Sequence, residues 1–160
     1  MNYFELLKLA APETIVVLTA LAVLALDLTS LRGMETRLRL IIGGLVASAG
    51  CAAAILWMLV NPQHADALHG MLVLSPLTQI VKICLLGLTI CTVLVSLEAK
   101  FTVHAGEFLS LILLATVGMM FLVSAEDVLM IFISLELTSL SLYILTAFNK
   151  RNIKLSLIHI

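Results

Sequence analysis

Five long apolar stretches dominate this chain and leave it few choices of fold. They cover residues 10–28, 38–60, 77–97, 108–124 and 128–148. Each is about twenty residues long, the length a helix needs to cross the hydrocarbon core of a bilayer. None alternates polar and apolar residues with period two, so a transmembrane barrel is disfavoured. Composition supports the same reading. Hydrophobic residues make up 62% and charged residues 12% of the chain, whereas a soluble domain is about half apolar and a quarter charged. A surface this poor in polar groups needs lipid as its solvent, and in lipid the backbone must satisfy its own hydrogen bonds. The expected fold is therefore all-α, a polytopic bundle of about five membrane helices. Short connections predict that consecutive helices pack as antiparallel neighbours.

The connections alternate in charge. Arg32, Arg37 and Arg39 follow the first stretch, Lys100 follows the third, and Lys150, Arg151 and Lys154 follow the fifth. The second and fourth connections carry no Lys or Arg. Basic residues in short loops mark the cytoplasmic side, which predicts an N-terminus outside and a C-terminal end inside. The basic cluster after the first stretch, rather than before it, argues against a cleaved signal peptide. Residues 1–151 read as one membrane segment. Residues 152–160 form an atypical tail, neither a finished helix nor a polar terminus, as if a sixth element were about to start.

Net charge is −1, so nothing points to nucleic acid. The sequence has no Gly-rich phosphate loop, paired-His helix motif or Cys-x-x-Cys. Cys51, Cys84 and Cys91 fall in apolar runs and are expected to act as small buried hydrophobes. His64 and His69 lie in an outer loop. Gly43, Gly44 and Gly118 suggest close helix contacts, and Trp57 an interfacial anchor.

One residue stands out chemically. Glu136 lies near the middle of the fifth stretch, where a charge costs about 2.5–3.5 kcal/mol on insertion scales. It must either hold a proton or find a cationic or hydrated partner. Ser139 and Tyr143 follow it at i+3 and i+7, giving one polar stripe on a helix. Ser134, Thr138 and Ser141 lie toward other faces. Two readings remain open for Glu136: a proton or ion pathway, or a hydrogen bond that fixes helix packing. Lys82 is a second candidate, about five residues inside the third stretch, with snorkelling to the interface as its simpler reading. Glu13 and Asp27, at the two ends of the first stretch, are expected to be interfacial.

The runs Gly106-Glu-Phe-Leu-Ser-Leu, Gly118-Met-Met, Ser124-Ala-Glu-Asp-Val-Leu and Leu135-Glu-Leu-Thr-Ser-Leu-Ser-Leu-Tyr143 together resemble subunit N of bacterial NADH-quinone oxidoreductase. That family belongs to the antiporter-like membrane arm of respiratory complex I. Ala11-Pro12-Glu13, Asp27-Leu28 and the Ser75-Pro76 turn before Lys82 are similar to its opening helices. The resemblance implies a larger protein of about fourteen helices with two inverted five-helix repeats, sited in the bacterial inner (cytoplasmic) membrane. It also implies that Glu136 is the fifth-helix glutamate that pairs with lysines of later helices and tunes a central lysine's proton affinity. Its partners would be the lipid bilayer and the other membrane-arm subunits. NADH, flavin, iron–sulfur clusters and most quinone contacts would belong to those subunits, with no cofactor in this chain. Two residues depart from the family's pattern: Ser141 stands where Pro is usual, and Ser75 where Asp often precedes the Pro. The lysine-bearing helices are not in this sequence. Two alternatives remain: a subunit of a multisubunit cation/proton antiporter, and a small helical membrane scaffold with no transport role.

Overall fold

The computed structural model describes residues 10–29, 35–61, 65–67, 72–98 and 104–147. Five helices cover most of them: α1 (Ala11–Thr29), α2 (Thr36–Val60), α3 (Pro76–Ser96), α4 (Ala105–Ser124) and α5 (Val128–Ala147). All five are long and apolar enough to span a membrane. The fourth begins earlier than its apolar run suggests, because Ala105, Gly106 and Glu107 form its first turn. The 152–160 tail, the His64 and His69 loop positions, and Arg32, Lys100, Lys150, Arg151 and Lys154 lie outside the described residues.

Each helix packs against the next, and α4 also packs on α1 and α2. That makes α4 the axis of the bundle. Of its most apolar window, 61% lies inside the protein, against 11% for α5. Leu109, Leu113, Val117 and Met120 of α4 meet Val16, Ala20 and Val23 of α1, Ala47, Cys51 and Ala54 of α2, and Leu86 and Val93 of α3 in one continuous core. Small residues permit the close approaches. A β-carbon on Gly43 would meet Leu109, and one on Gly44 would meet Val93 and Leu97.

The antiparallel order follows from contacts at the two ends of the bundle. At one end Gln79 Nε2 of α3 donates to the Met58 carbonyl of α2 (3.4 Å), and Leu72 bridges to Ala125 after α4. At the other end α1 finishes against the starts of α2 and α4. The α2–α3 connection contains a feature the apolar pattern does not reveal, a short antiparallel ribbon of β1 (Ala65–Ala67) and β2 (Leu72–Leu74).

Ser75 explains the start of α3. Its hydroxyl accepts the Thr78 N–H (3.2 Å), while the Thr78 hydroxyl accepts the Ser75 N–H (2.9 Å), with Pro76 in the first helical turn. Asp and Ser are nearly equivalent N-caps, so Ser75 in place of Asp preserves the helix start. Ser141 likewise leaves α5 unbroken, buried against the bundle with its hydroxyl donated to the Leu137 carbonyl (2.8 Å).

Candidate functional site: charged and hydroxyl groups within the spans

Among the described residues four groups of polar side chains inside the spans stand out, and the sequence marked a candidate in two of them, Glu136 and Lys82. The first is Lys82. Rather than snorkelling outward, its ammonium donates to Glu13 Oε1 at 2.6 Å, and both side chains are only 2% exposed. The same contact buries Glu13 within the protein, at the start of its span. Glu13 sits in the first turn of α1 on the stripe Glu13, Val16, Ala20, Val23, Asp27, which buries itself in the bundle. Lys82 heads the corresponding stripe on α3, followed by Leu86, Thr89 and Val93. Each charge is on an inward face, and burial leaves each no solvation except the other.

Asp27, near the other end of α1, is the second group, and it too is buried within the protein. Arg39 of α2 holds it with two parallel bonds, Nε to Oδ1 (2.8 Å) and Nη2 to Oδ2 (2.6 Å). The Gly106 N–H at the start of α4 adds a third donor. Helix N-termini present unsatisfied N–H groups and favour negative charge, so Asp27 caps α4 from another helix. His104 Nδ1 stands 3.4 Å from Glu107 Oε1 beside it, both exposed.

The third group is a hydroxyl pair. Thr89 Oγ1 of α3 and Thr116 Oγ1 of α4 are 2.8 Å apart and buried. Thr116 also contacts the Ile112 carbonyl (2.9 Å). No charge marks these two residues in the sequence.

Glu136 is the fourth. It lies midway along α5 and is exposed. Ser134 and Ser141, at 1% and 4% exposure, face α4, and Thr138 meets Gly118 of α4. Glu136 therefore points away from the other four helices. Ser139 is half-buried and donates to the Glu136 main-chain carbonyl (3.2 Å), not to its carboxylate. Tyr143 is 71% exposed on the outward side. Among the described residues no hydrogen bond or ion pair reaches the Glu136 carboxylate. Neither Lys82 nor Arg39 is available to it, since each already has its own carboxylate.

Of the cysteines, Cys51 is buried as expected, but Cys84 and Cys91 are exposed on the outer side of α3. Trp57 is also on an outward face.

Five helices of spanning length with two interhelical ion pairs and an acid on an open mid-helix face define a multi-pass membrane protein that carries ionisable side chains within its spanning helices. Comparison with known proteins narrows this. The chain is 40% identical over 160 residues to NADH-quinone oxidoreductase subunit N 2 of Acidobacterium capsulatum, covering 94% of this chain and 32% of that protein. It is 34% identical over 146 residues to subunit N of Geobacillus kaustophilus, covering 89% and 29%. It is 30% identical over 150 residues to subunit N 1 of Rhizobium meliloti, covering 92% and 30%. No protein-family model matches the chain. The chain is thus similar to NADH-quinone oxidoreductase subunit N of several bacteria over nearly its whole described extent, and spans about a third of the length of these curated relatives.

Proposed function

We propose that this chain is the N-terminal part of a membrane-arm subunit of NADH-quinone oxidoreductase that takes part in proton translocation. The observation that carries the reading is the position of Glu136, an acid at mid-span on a face that no described helix covers. A carboxylate left facing lipid there would cost about 2.5–3.5 kcal/mol. A helix bearing a basic residue, packed over that face, removes the cost and makes a charge pair. The curated relatives are about three times as long as this chain, which leaves room for such helices.

In this reading Glu136 is the proton-pathway group, and Ser139 and Tyr143 extend its polar stripe. Glu136 raises the proton affinity of the cation opposite while ionised and lowers it when that pairing is broken. A potential of about 100 mV opposes each transferred proton by roughly 2.3 kcal/mol, so pairing must change during turnover. Lys82, bound to Glu13, stands outside this path. The subunit lies in the bacterial inner membrane with its N-terminus outside. The charge alternation supports that orientation, with Arg39 of α2 and the start of α4 at the inner end. NADH, flavin, iron–sulfur and quinone chemistry belongs to partner subunits.

The test is Glu136→Gln in the protein as its gene encodes it, within its assembled complex. Proton transfer coupled to NADH oxidation is expected to fall while assembly survives. Unchanged turnover with unchanged proton yield overturns the reading. Co-purification with a cation/proton antiporter instead of a flavin-containing assembly favours the antiporter alternative.

A further inference from the structure

Glu13 and Lys82 join two helices that do not pack along each other. α1 and α3 each lie against α2 and α4, and α2 touches α4, so α1 and α3 occupy opposite corners of a four-helix diamond. The 2.6 Å bond between Lys82 Nζ and Glu13 Oε1 crosses that diamond, fully enclosed.

Apolar packing alone specifies the position of α1 weakly. Lipid tails are as apolar as leucine, so no hydrophobic force selects one face of a membrane helix over another. The outward side of α1 carries Leu18, Leu21, Leu26 and Leu28, all exposed, while Val16, Ala20 and Val23 face inward. Turning α1 about its axis would exchange one apolar face for another. The exceptions are Glu13 and Asp27, and both lie on the buried stripe. On α3 the one charged residue between Pro76 and Ser96 is Lys82, also on the buried stripe. Any other rotation of α1, or any other helix opposite, separates Glu13 from the Lys82 ammonium that it meets in this arrangement.

The geometry points to a charge code: Glu13 and Lys82 fix which helix α1 faces across the bundle and at what rotation, a specificity role beyond neutralising each other. Buried ionic pairs act in this way when alternatives would strand one member. The role is independent of the proton reading of Glu136.

The experiment uses the full gene product in membranes, with Cys51, Cys84 and Cys91 changed to Ala. Spin labels are placed at Leu18→Cys on α1 and Leu88→Cys on α3, two outward positions with 60% and 64% exposure. The parent should give one narrow label-to-label distance. Lys82→Met alone should lower the membrane level at least about tenfold, because Glu13 is then buried without a partner. The apolar pair Glu13→Leu/Lys82→Met should accumulate like the parent but give a broadened or second distance. The swap Glu13→Lys/Lys82→Glu should restore the single distance. One narrow parental distance in the apolar pair overturns the proposal, because packing and the Asp27–Arg39 contact then suffice without the Glu13–Lys82 pair. If the apolar pair does not accumulate, the swap decides: recovery of level and distance supports the code, and failure overturns it.

Discussion

Gly106 brings the first turn of α4 directly onto the Asp27 carboxylate. A β-carbon at Gly106 would lie 2.6 Å from Asp27 Cγ and 2.7 Å from Oδ2, and the carboxylate cannot retreat because Arg39 grips both oxygens. Three helices are thereby tied at one point: α1 through Asp27, α2 through Arg39 and α4 through its N-terminal N–H. The Gly106-Glu run and the Asp27-Leu28 pair, far apart in sequence, are two halves of one joint.

Gly106→Ala should break that joint. The added methyl must push α4 away from Asp27, losing a charge-assisted hydrogen bond worth about 1.5–3 kcal/mol. Detergent-induced unfolding of the gene product should show a loss of that size. Arg39→Lys should also destabilise, because a point-like ammonium cannot reproduce the two parallel bonds of the guanidinium. A Gly106→Ala protein as stable as its parent would mean that the α1–α4 contact is looser than the geometry indicates.

The crossing of α4 and α5 depends on Gly118 in the same manner. A β-carbon there would stand 3.0 Å from the Ser134 carbonyl oxygen and the Thr138 nitrogen, both backbone atoms of α5. A backbone neighbour has no rotamer into which to move. Gly118→Ala is expected to cost about 1–3 kcal/mol, the usual range for overpacking. Gly118→Leu should detach α5 far enough to expose Ser134 and Ser141. Solvent protection of amides in α5, followed by hydrogen exchange, reads the difference, and Gly87→Ala is the control, since its β-carbon would meet nothing within 4 Å.

Much of this architecture is legible in the sequence. Five spans, their order and nearly all their ends follow from apolar runs long enough for a bilayer. The antiparallel order follows from short connections. Glu136 is legible because a carboxyl at mid-span is conspicuous on energy alone. The pairings are not legible. Lys82 reads as snorkelling because its depth permits it, and sequence spacing says nothing about a carboxylate 69 residues away. Asp27 looks interfacial because it ends a span, yet the start of α4 covers it. The signal that was present is a balance of charges: Glu13 and Asp27 within α1 call for two cations within other spans, and Lys82 and Arg39 are what α3 and α2 offer. Cys84 and Cys91 show the converse limit. In a helix that is apolar all round, hydrophobicity does not distinguish the core face from the lipid face.

The Thr89–Thr116 pair gives a measurement of how much a buried hydroxyl contact contributes in this bundle. Both hydroxyls also reach main-chain carbonyls of their own helices, at Leu85 (2.8 Å) and Ile112 (2.9 Å). Each therefore has a local alternative when its partner is removed. Thr89→Val and Thr116→Val are expected to destabilise modestly, with a coupling energy near 0.6 kcal/mol and no more than about 1.7 kcal/mol. A double-mutant cycle on unfolding in detergent measures it. A coupling of several kcal/mol would show that the hydroxyls depend on each other far more than on their own helices.

The open face of α5 makes the last prediction. With a basic residue packed opposite Glu136, Glu136→Lys sets two like charges about 4 Å apart, a repulsion of about 4 kcal/mol at an effective dielectric of 20. Assembly with the helices covering that face should then fail. Glu136→Gln, which removes the attraction without adding repulsion, should still assemble. Ser139→Ala and Tyr143→Phe should assemble normally, since the Ser139 hydroxyl donates to a main-chain carbonyl rather than to the carboxylate. The amount of gene product recovered in the intact membrane complex, measured for all four variants side by side, ranks them. Normal assembly of Glu136→Lys would mean that no cation sits opposite Glu136, and the proton-pathway assignment would lose its physical basis.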